Sequence, residues 1–279
     1  MKKVLRALFA LAATLAVPCA HAASGIAFIT DLKGEVAVDG TPRPLLLSEL
    51  ARGQRIIVGT EAQLAVMFIQ SGKEYVLKGP ADYVVGEREI TATHGMPPAA
   101  RETPWRASNQ VLVKVAQTSG ASIRMRSLAP VKSDTKPRLD FPTRGAVATL
   151  QPTLRWSNLP DGKVEVAIAV AGKEDKPLAK AKVSGGSHRF PVKLRPDTEY
   201  AWTVSFEGRE IGSATFRTLP AAALQNAEQR RPSEKAEFSD RLLYALLLQE
   251  IGATQEAQEA WGKLAEERTD LPELAGLAK

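Results

Sequence analysis

Between Ser24 and Gly95 the chain alternates short apolar runs with glycine-bearing breaks. Ile26-Ala27-Phe28-Ile29 leads to Gly34, Val36 and Val38 alternate into Asp39-Gly40, and Ile56-Ile57-Val58 stops at Gly59. Leu64, Val66 and Phe68 share one face before Ser71-Gly72, Tyr75-Val76-Leu77 stops at Gly79-Pro80, and Tyr83-Val84-Val85 stops at Gly86. Period-two alternation closed by turn residues marks strands, so the pattern predicts five or six strands in a compact all-β unit. Only Leu45–Leu50 reads as a turn of helix. Val111, Val113 and Val115, then Ile123 and Met125 after Ser119-Gly120, alternate again and are expected to complete this unit, which spans 23–126.

Residues 127–143 are rich in Pro, Ser, Thr and charge, and read as a linker. A second β unit is expected over 144–219. Its strands are carried by Thr153-Leu154-Arg155-Trp156, by the alternation of Val164, Val166, Ile168 and Val170, by Trp202, Val204 and Phe206, and by Ala214–Thr218. After Pro220 the period changes to that of a helix. Leu242, Leu243, Leu246 and Leu247 form one apolar stripe, Gly252 breaks it, and Ala257, Trp261 and Leu264 form another. Asp270-Leu271-Pro272-Glu273 has the spacing of a capping box before a short last helix. The fold class expected is mainly β: two β units with a C-terminal helical hairpin arm over 220–279.

The first 22 residues change the picture of compartment and charge. Lys2, Lys3 and Arg6 precede an uncharged apolar run from Ala7 to Val17, followed by Pro18 and the small-residue pattern Ala20-His21-Ala22. This is the layout of a secretory signal cleaved after Ala22. The run is about half the roughly 20 residues that a spanning helix needs. Cleavage removes Cys19, the chain's one cysteine, and three basic residues, so the formal charge falls from +6 to +3. Pro18 stands where a lipoprotein signal has a small residue. The mature protein is therefore expected in the periplasm, without disulfides, without a transmembrane segment, and with no basic excess pointing to nucleic acid.

Three segments resemble known families. Gly34-x-Val36, Leu50-x-x-Gly53-x-x-Ile56, Gly59, Ala65-x-x-Phe68, Gly72 and Leu77-x-Gly79-Pro80 are similar to the domain named after FecR, the ferric-citrate regulator. Gln54 replaces the family's usual Asp after the central glycine, and Gln70-Ser71-Gly72-Lys73 replaces an Asp-Gly-Ser turn, so no role of those carboxylates carries over. Leu194-x-Pro196-x-Thr198-x-Tyr200, with Trp156 upstream, resembles the tyrosine corner and core tryptophan of fibronectin type III sandwiches. Gly252, Ala257 and Trp261 resemble the second half of a tetratricopeptide repeat, with Thr269 where that repeat has proline. The FecR resemblance implies a periplasmic domain engaged in signal reception and protein contacts. Too few residues precede the apolar run for a cytoplasmic sigma-factor-binding segment, so direct sigma-factor control is not expected.

Chemistry is sparse. His94 and His188 are far apart and lack partners at metal-ligand spacing, and no nucleophile elbow or phosphate loop occurs. Glu87 and Glu89 read as decoration of a strand's solvent face. No catalytic, cofactor-binding or metal-binding residue is assigned, and no enzyme activity or cofactor is expected. Two candidate surfaces remain. Lys114, Arg124 and Arg126 head a basic segment running to Arg144, a candidate contact for an acidic ligand. Leu242, Leu246, Trp261 and Leu264 give the arm more apolar surface than one hairpin hides, so they must dock on a partner or on the chain's own second unit. Residues 221–279 carry a net charge of −4, which also suits the arm to the basic segment. Trp105, beside Pro104 and Arg106, is the best candidate for an exposed aromatic. The function expected is that of a periplasmic adaptor or signalling partner that binds an envelope protein. The alternative is a cell-envelope polymer binder that takes peptidoglycan or an anionic glycan on the basic segment.

Overall fold

A computed structural model describes residues 25–105, 112, 136–159, 162–233 and 235–277. Residues 1–22, expected to be a secretory signal, and the candidate contacts Lys114, Arg124 and Arg126 lie outside them. The protein is mainly β, with helices gathered at the C-terminal end.

The first unit is built from two antiparallel sheets. One has the order β3-β1-β5-β6-β9 and the other β2-β4-β7-β8. Their ranges are β1 Ala27–Lys33, β2 Val36–Val38, β3 Glu49–Leu50, β4 Arg55–Val58, β5 Gln63–Phe68, β6 Glu74–Lys78, β7 Ala81–Val85, β8 Ile90–His94 and β9 Ala99–Arg101. Leu64, Val66 and Phe68 of β5 do share one face, and they join Ile29, Ile56, Leu77 and Tyr83 between the sheets. The segment Leu45–Leu50 is not helical. Leu47 takes a left-handed φ of 63°, the Ser48 N–H donates to the Leu45 carbonyl, and the chain then enters β3. That turn drives Leu46 and Leu47 inward. Glu87 and Glu89 lie in the loop between β7 and β8 and not on a strand. At Gly79 the backbone passes so close that an added Cβ would stand 1.8 Å from the Gly59 carbonyl oxygen.

The second unit packs a three-stranded sheet, β10-β12-β15, on a five-stranded one, β11-β17-β16-β13-β14. Its strands are β10 Arg138–Phe141, β11 Ala146–Val147, β12 Thr153–Ser157, β13 Lys163–Val170, β14 Ala179–Ser184, β15 Ser187–Arg189, β16 Glu199–Phe206 and β17 Arg209–Thr218. β10 falls inside the segment expected to be a linker. Its alternate residues reach the core, since Phe141 is buried and Leu139 packs beside it. Trp156 and Trp202 fill the centre with ring centroids 6.4 Å apart. The Trp202 indole donates to the Pro142 carbonyl at 2.6 Å. The tyrosine corner forms: the Arg195 N–H donates to the Tyr200 hydroxyl at 2.8 Å.

Four helices follow among the described residues: α1 Ala221–Gln229, α2 Phe238–Glu250, α3 Thr254–Glu267 and α4 Glu273–Leu277. They do not project as an arm. Their apolar stripes form a third core that takes in Phe28, Met67 and Ile69 from the first unit, Trp105, and Ala148 and Leu219 from the second. The reason is visible in β1 and β5. Phe28 and Met67 face each other across the ladder on the side of the sheet turned away from the first core. An exposed sheet face carrying Phe and Met is unstable in water, and the helices cover it. Trp105 is fully buried there, with the Arg230 guanidinium 5.8 Å from its ring. Leu112, within a stretch expected to be strand, is helical and buried in the same core.

Two polar clamps fix the helices on the first unit. Arg101 of β9 donates from Nη1 to Asp240 at 2.7 Å and from Nε to Glu74 at 2.9 Å, and the Ser239 hydroxyl donates to Glu74 at 3.1 Å. Glu74 also accepts from the Thr30 hydroxyl at 2.6 Å. Burial opposes the charge of Arg101, but the Asp240 and Glu74 carboxylates outweigh it and raise its pKa. In the second clamp, buried Arg268 pairs with Asp31 and Asp270, donates to the Leu32 carbonyl at 2.6 Å, and lies 4.9 Å over the Phe238 ring.

Candidate functional site

The arm residues singled out from the sequence all lie in the third core. Leu242, Trp261 and Leu264 are buried and Leu246 is half-buried, so the face left open by the sequence is covered by this chain's own β units. His94 is exposed near Asp82, and His188 sits on β15 with its ring edge-on to Phe190. Among the described residues no three Cys, His, Asp or Glu side chains converge as metal ligands do.

The open, chemically distinctive feature is a cleft where α2 and α3 meet the second unit. The turn before α3 and the helix's first turn are bound to that unit by four hydrogen bonds. Gly252 accepts from the Ala146 N–H at 3.3 Å. Gln255 accepts from the Thr143 N–H at 2.7 Å and donates to the Asp140 carbonyl at 2.9 Å. Glu256 accepts from the Ala148 N–H at 2.6 Å. Beyond the joint the surfaces diverge. One cavity of about 470 Å³ is lined by Arg231, Arg241, Tyr244, Glu256, Glu259 and Lys263, among others. An adjoining one of about 450 Å³ shares Arg231, Glu256 and Glu259 and adds Phe141, Arg155 and Arg189.

The lining is mostly tied down. Arg231 donates to Glu228 at 3.1 Å and to the Ala148 carbonyl at 3.3 Å. Arg241 is bidentate to Glu267, and Arg155 pairs with Glu259 while lying 4.6 Å over the Phe141 ring. Burial pushes the Glu256 carboxyl up to about 7, against the pull of the Ala148 N–H and the Arg231 and Arg155 charges. Burial also raises the Tyr244 phenol. Two donors in this lining have no partner among the described residues: the Tyr244 hydroxyl, on a side chain 7% exposed, and Arg241 Nε. The sequence offered little sign of this cleft, because its residues come from six elements and the loops between them, from Phe141 to Leu264, and none forms a local motif. The one readable hint was Tyr244, a polar-tipped aromatic inside the leucine run of α2.

No protein-family model matches the chain, and the curated proteins include no match to it.

Proposed function

We propose that this is an exported, non-catalytic binding protein of the bacterial envelope, an adaptor or signalling partner whose ligand engages the cleft between the helices and the second β unit. The observation that carries the reading is the cleft itself. It is open, bears charges of both signs, and lies at the joint between the helices and the second β unit. Ligand sites favour such joints. The secretory layout of residues 2–22 supports export, and the FecR-like glycine pattern from Gly34 to Pro80 supports a place in envelope signalling. The polymer-binding alternative rests on the basic segment headed by Lys114, Arg124 and Arg126, which lies outside the described residues.

Site-specific crosslinking in cells tests the reading better than deletion of the helices, since deletion would open the shared core. A photoreactive side chain at the exposed Lys263 should yield a discrete adduct with an envelope protein. The same group at Lys180, on the edge strand β14, should not, and Arg189→Glu should remove the Lys263 adduct. Adducts formed equally at both positions, or formed with cell-wall polymer, would overturn it.

A further inference from the structure

We propose that the second β unit is hinged on the helices at Leu219-Pro220 with Glu256 as the latch, so that ionisation of the Glu256 carboxyl opens the joint. This device belongs to the chain itself and operates whether or not a ligand enters the cleft.

The helices hold their two β neighbours by different means. Against the first unit the shared core buries Phe28, Leu46, Leu47, Met67 and Ile69, and each clamp matches an arginine to two carboxylates. Large apolar area and buried ion pairs both resist parting. From the second unit the same core takes in Ala148 and Leu219, with Ala146 packed beside them. Backbone meets backbone there. An added Cβ at Gly145 would stand 2.9 Å from Thr254 Oγ1 and 3.6 Å from the Gly252 carbonyl oxygen. Little apolar surface is exposed if such faces separate.

Hydrogen bonds hold this joint instead. The Thr143, Ala146 and Ala148 amides donate to Gln255, Gly252 and Glu256, and Arg231 Nη2 donates to the Ala148 carbonyl. Arg144 reaches Gln258 at 3.1 Å, and Arg155 pairs with Glu259 at the exposed rim. These contacts border open cavities, so water can replace each partner at small net cost. The chain crosses from β17 to α1 at Leu219-Pro220, which gives the parting surfaces a pivot.

Among the partners in this row, Glu256 is the one whose charge changes near neutral pH. It shares its surroundings with Glu228 on α1, Arg231 after α1, Tyr244 and Arg241 on α2, Glu259 and Lys263 on α3, Arg155 on β12 and Arg189 on β15. Arg155, Arg231 and Arg241 are matched by Glu259, Glu228 and Glu267, so they offset a charged Glu256 only in part. In the closed joint burial holds its carboxyl at about 7. In the open joint water returns it to about 4.3. The closed form therefore binds the proton more tightly. Its advantage is complete below about 4.3 and is lost as pH rises through 7. The closed-to-open ratio should fall about tenfold between pH 6 and pH 8.

Amide hydrogen exchange of the whole protein, followed residue by residue by NMR and corrected for intrinsic rates, tests the hinge and the latch together. The Thr143, Ala146 and Ala148 amides have their partners across the joint, whereas the amides of β16 lie inside the second unit. If the joint opens while the unit stays folded, the three joint amides should be at least about a hundredfold less protected than those of β16. Their protection should fall about tenfold from pH 6 to pH 8. In Glu256→Gln it should be the same at both pH values. Joint amides as protected as β16 would part only when the unit unfolds, and that overturns the proposal. Protection that does not fall in the parent protein overturns it as well, and so does a fall that persists in Glu256→Gln.

Discussion

Arg101 and Asp240, 139 residues apart in the chain, meet at 2.7 Å over the buried carboxylate of Glu74. This contact joins the last strand of the first sheet to the first turn of α2. Five side chains share it: Glu74 takes two donors from Arg101, one from Ser239 and one from Thr30, and Asp240 accepts from Arg101 Nη1.

Removing the cation leaves Glu74 charged, 1% exposed and without its counter-ion. Breaking a buried pair from one side typically costs about 3–5 kcal/mol. Arg101→Met should lower the urea midpoint by a corresponding amount. Pairing it with Glu74→Gln should recover part of the loss, because the stranded charge is then gone.

Gly79→Ala should prevent folding of the first unit. The new methyl carbon would stand 1.8 Å from a backbone oxygen of Gly59, and neither strand end can retreat without opening the ladder between β4 and β7. Circular dichroism and amide-proton dispersion of the variant should show the loss. A folded variant with native melting behaviour would contradict the close approach.

In the second unit, Trp156→Ala should cost about 3–5 kcal/mol as a large buried side chain is lost. Tyr200→Phe removes only the acceptor for the Arg195 N–H and should cost about 1 kcal/mol. In the first unit the Tyr83 hydroxyl likewise accepts from the Lys78 N–H, at 3.2 Å, and also donates to the Lys78 carbonyl at 2.8 Å, so Tyr83→Phe removes two bonds and should cost about 1–2 kcal/mol. Chemical denaturation of the three variants gives the comparison directly.

The Glu256 carboxyl, held near 7, titrates above its value in an unfolded chain of about 4.3. The folded state then binds the extra proton between those values, so this group's contribution is complete below about 4.3 and is lost as pH rises through 7. Glu256→Gln should therefore match the parent protein near pH 4 and exceed it at pH 8, by up to about 3 kcal/mol for a shift of this size. Gln can still accept from the Ala148 N–H. Stability curves at the two pH values settle the sign.

The strands flanked by glycine, the tyrosine corner and the two leucine-rich helices were legible because each is a local pattern with a fixed period. The polar or very short strands β9, β10, β14 and β15 were not, since the pairing of Ala99–Arg101 or Arg138–Phe141 comes from a neighbour and not from their own composition. The covered sheet face was missed for a different reason. Leu64, Val66 and Phe68 satisfied the expectation of one buried side, and Ala65 and Met67 on the other side went unread, although apolar residues on both faces of β5 signal cover on both. The cleft was invisible because Tyr244, Glu256 and Arg231 acquire meaning only through their meeting.

The Phe28–Met67 pair has a further consequence in time. These residues are made early, and the leucines that cover them belong to the last sixty or so residues of the chain. Until α2 and α3 have been made, the leucines of those helices cannot shield that apolar face. A chain cut short before α2 would lack the helix leucines over that face and should aggregate more readily and be cleaved faster by added protease. Formation of α2 and α3 thus sets the moment at which the first unit's second apolar face is closed.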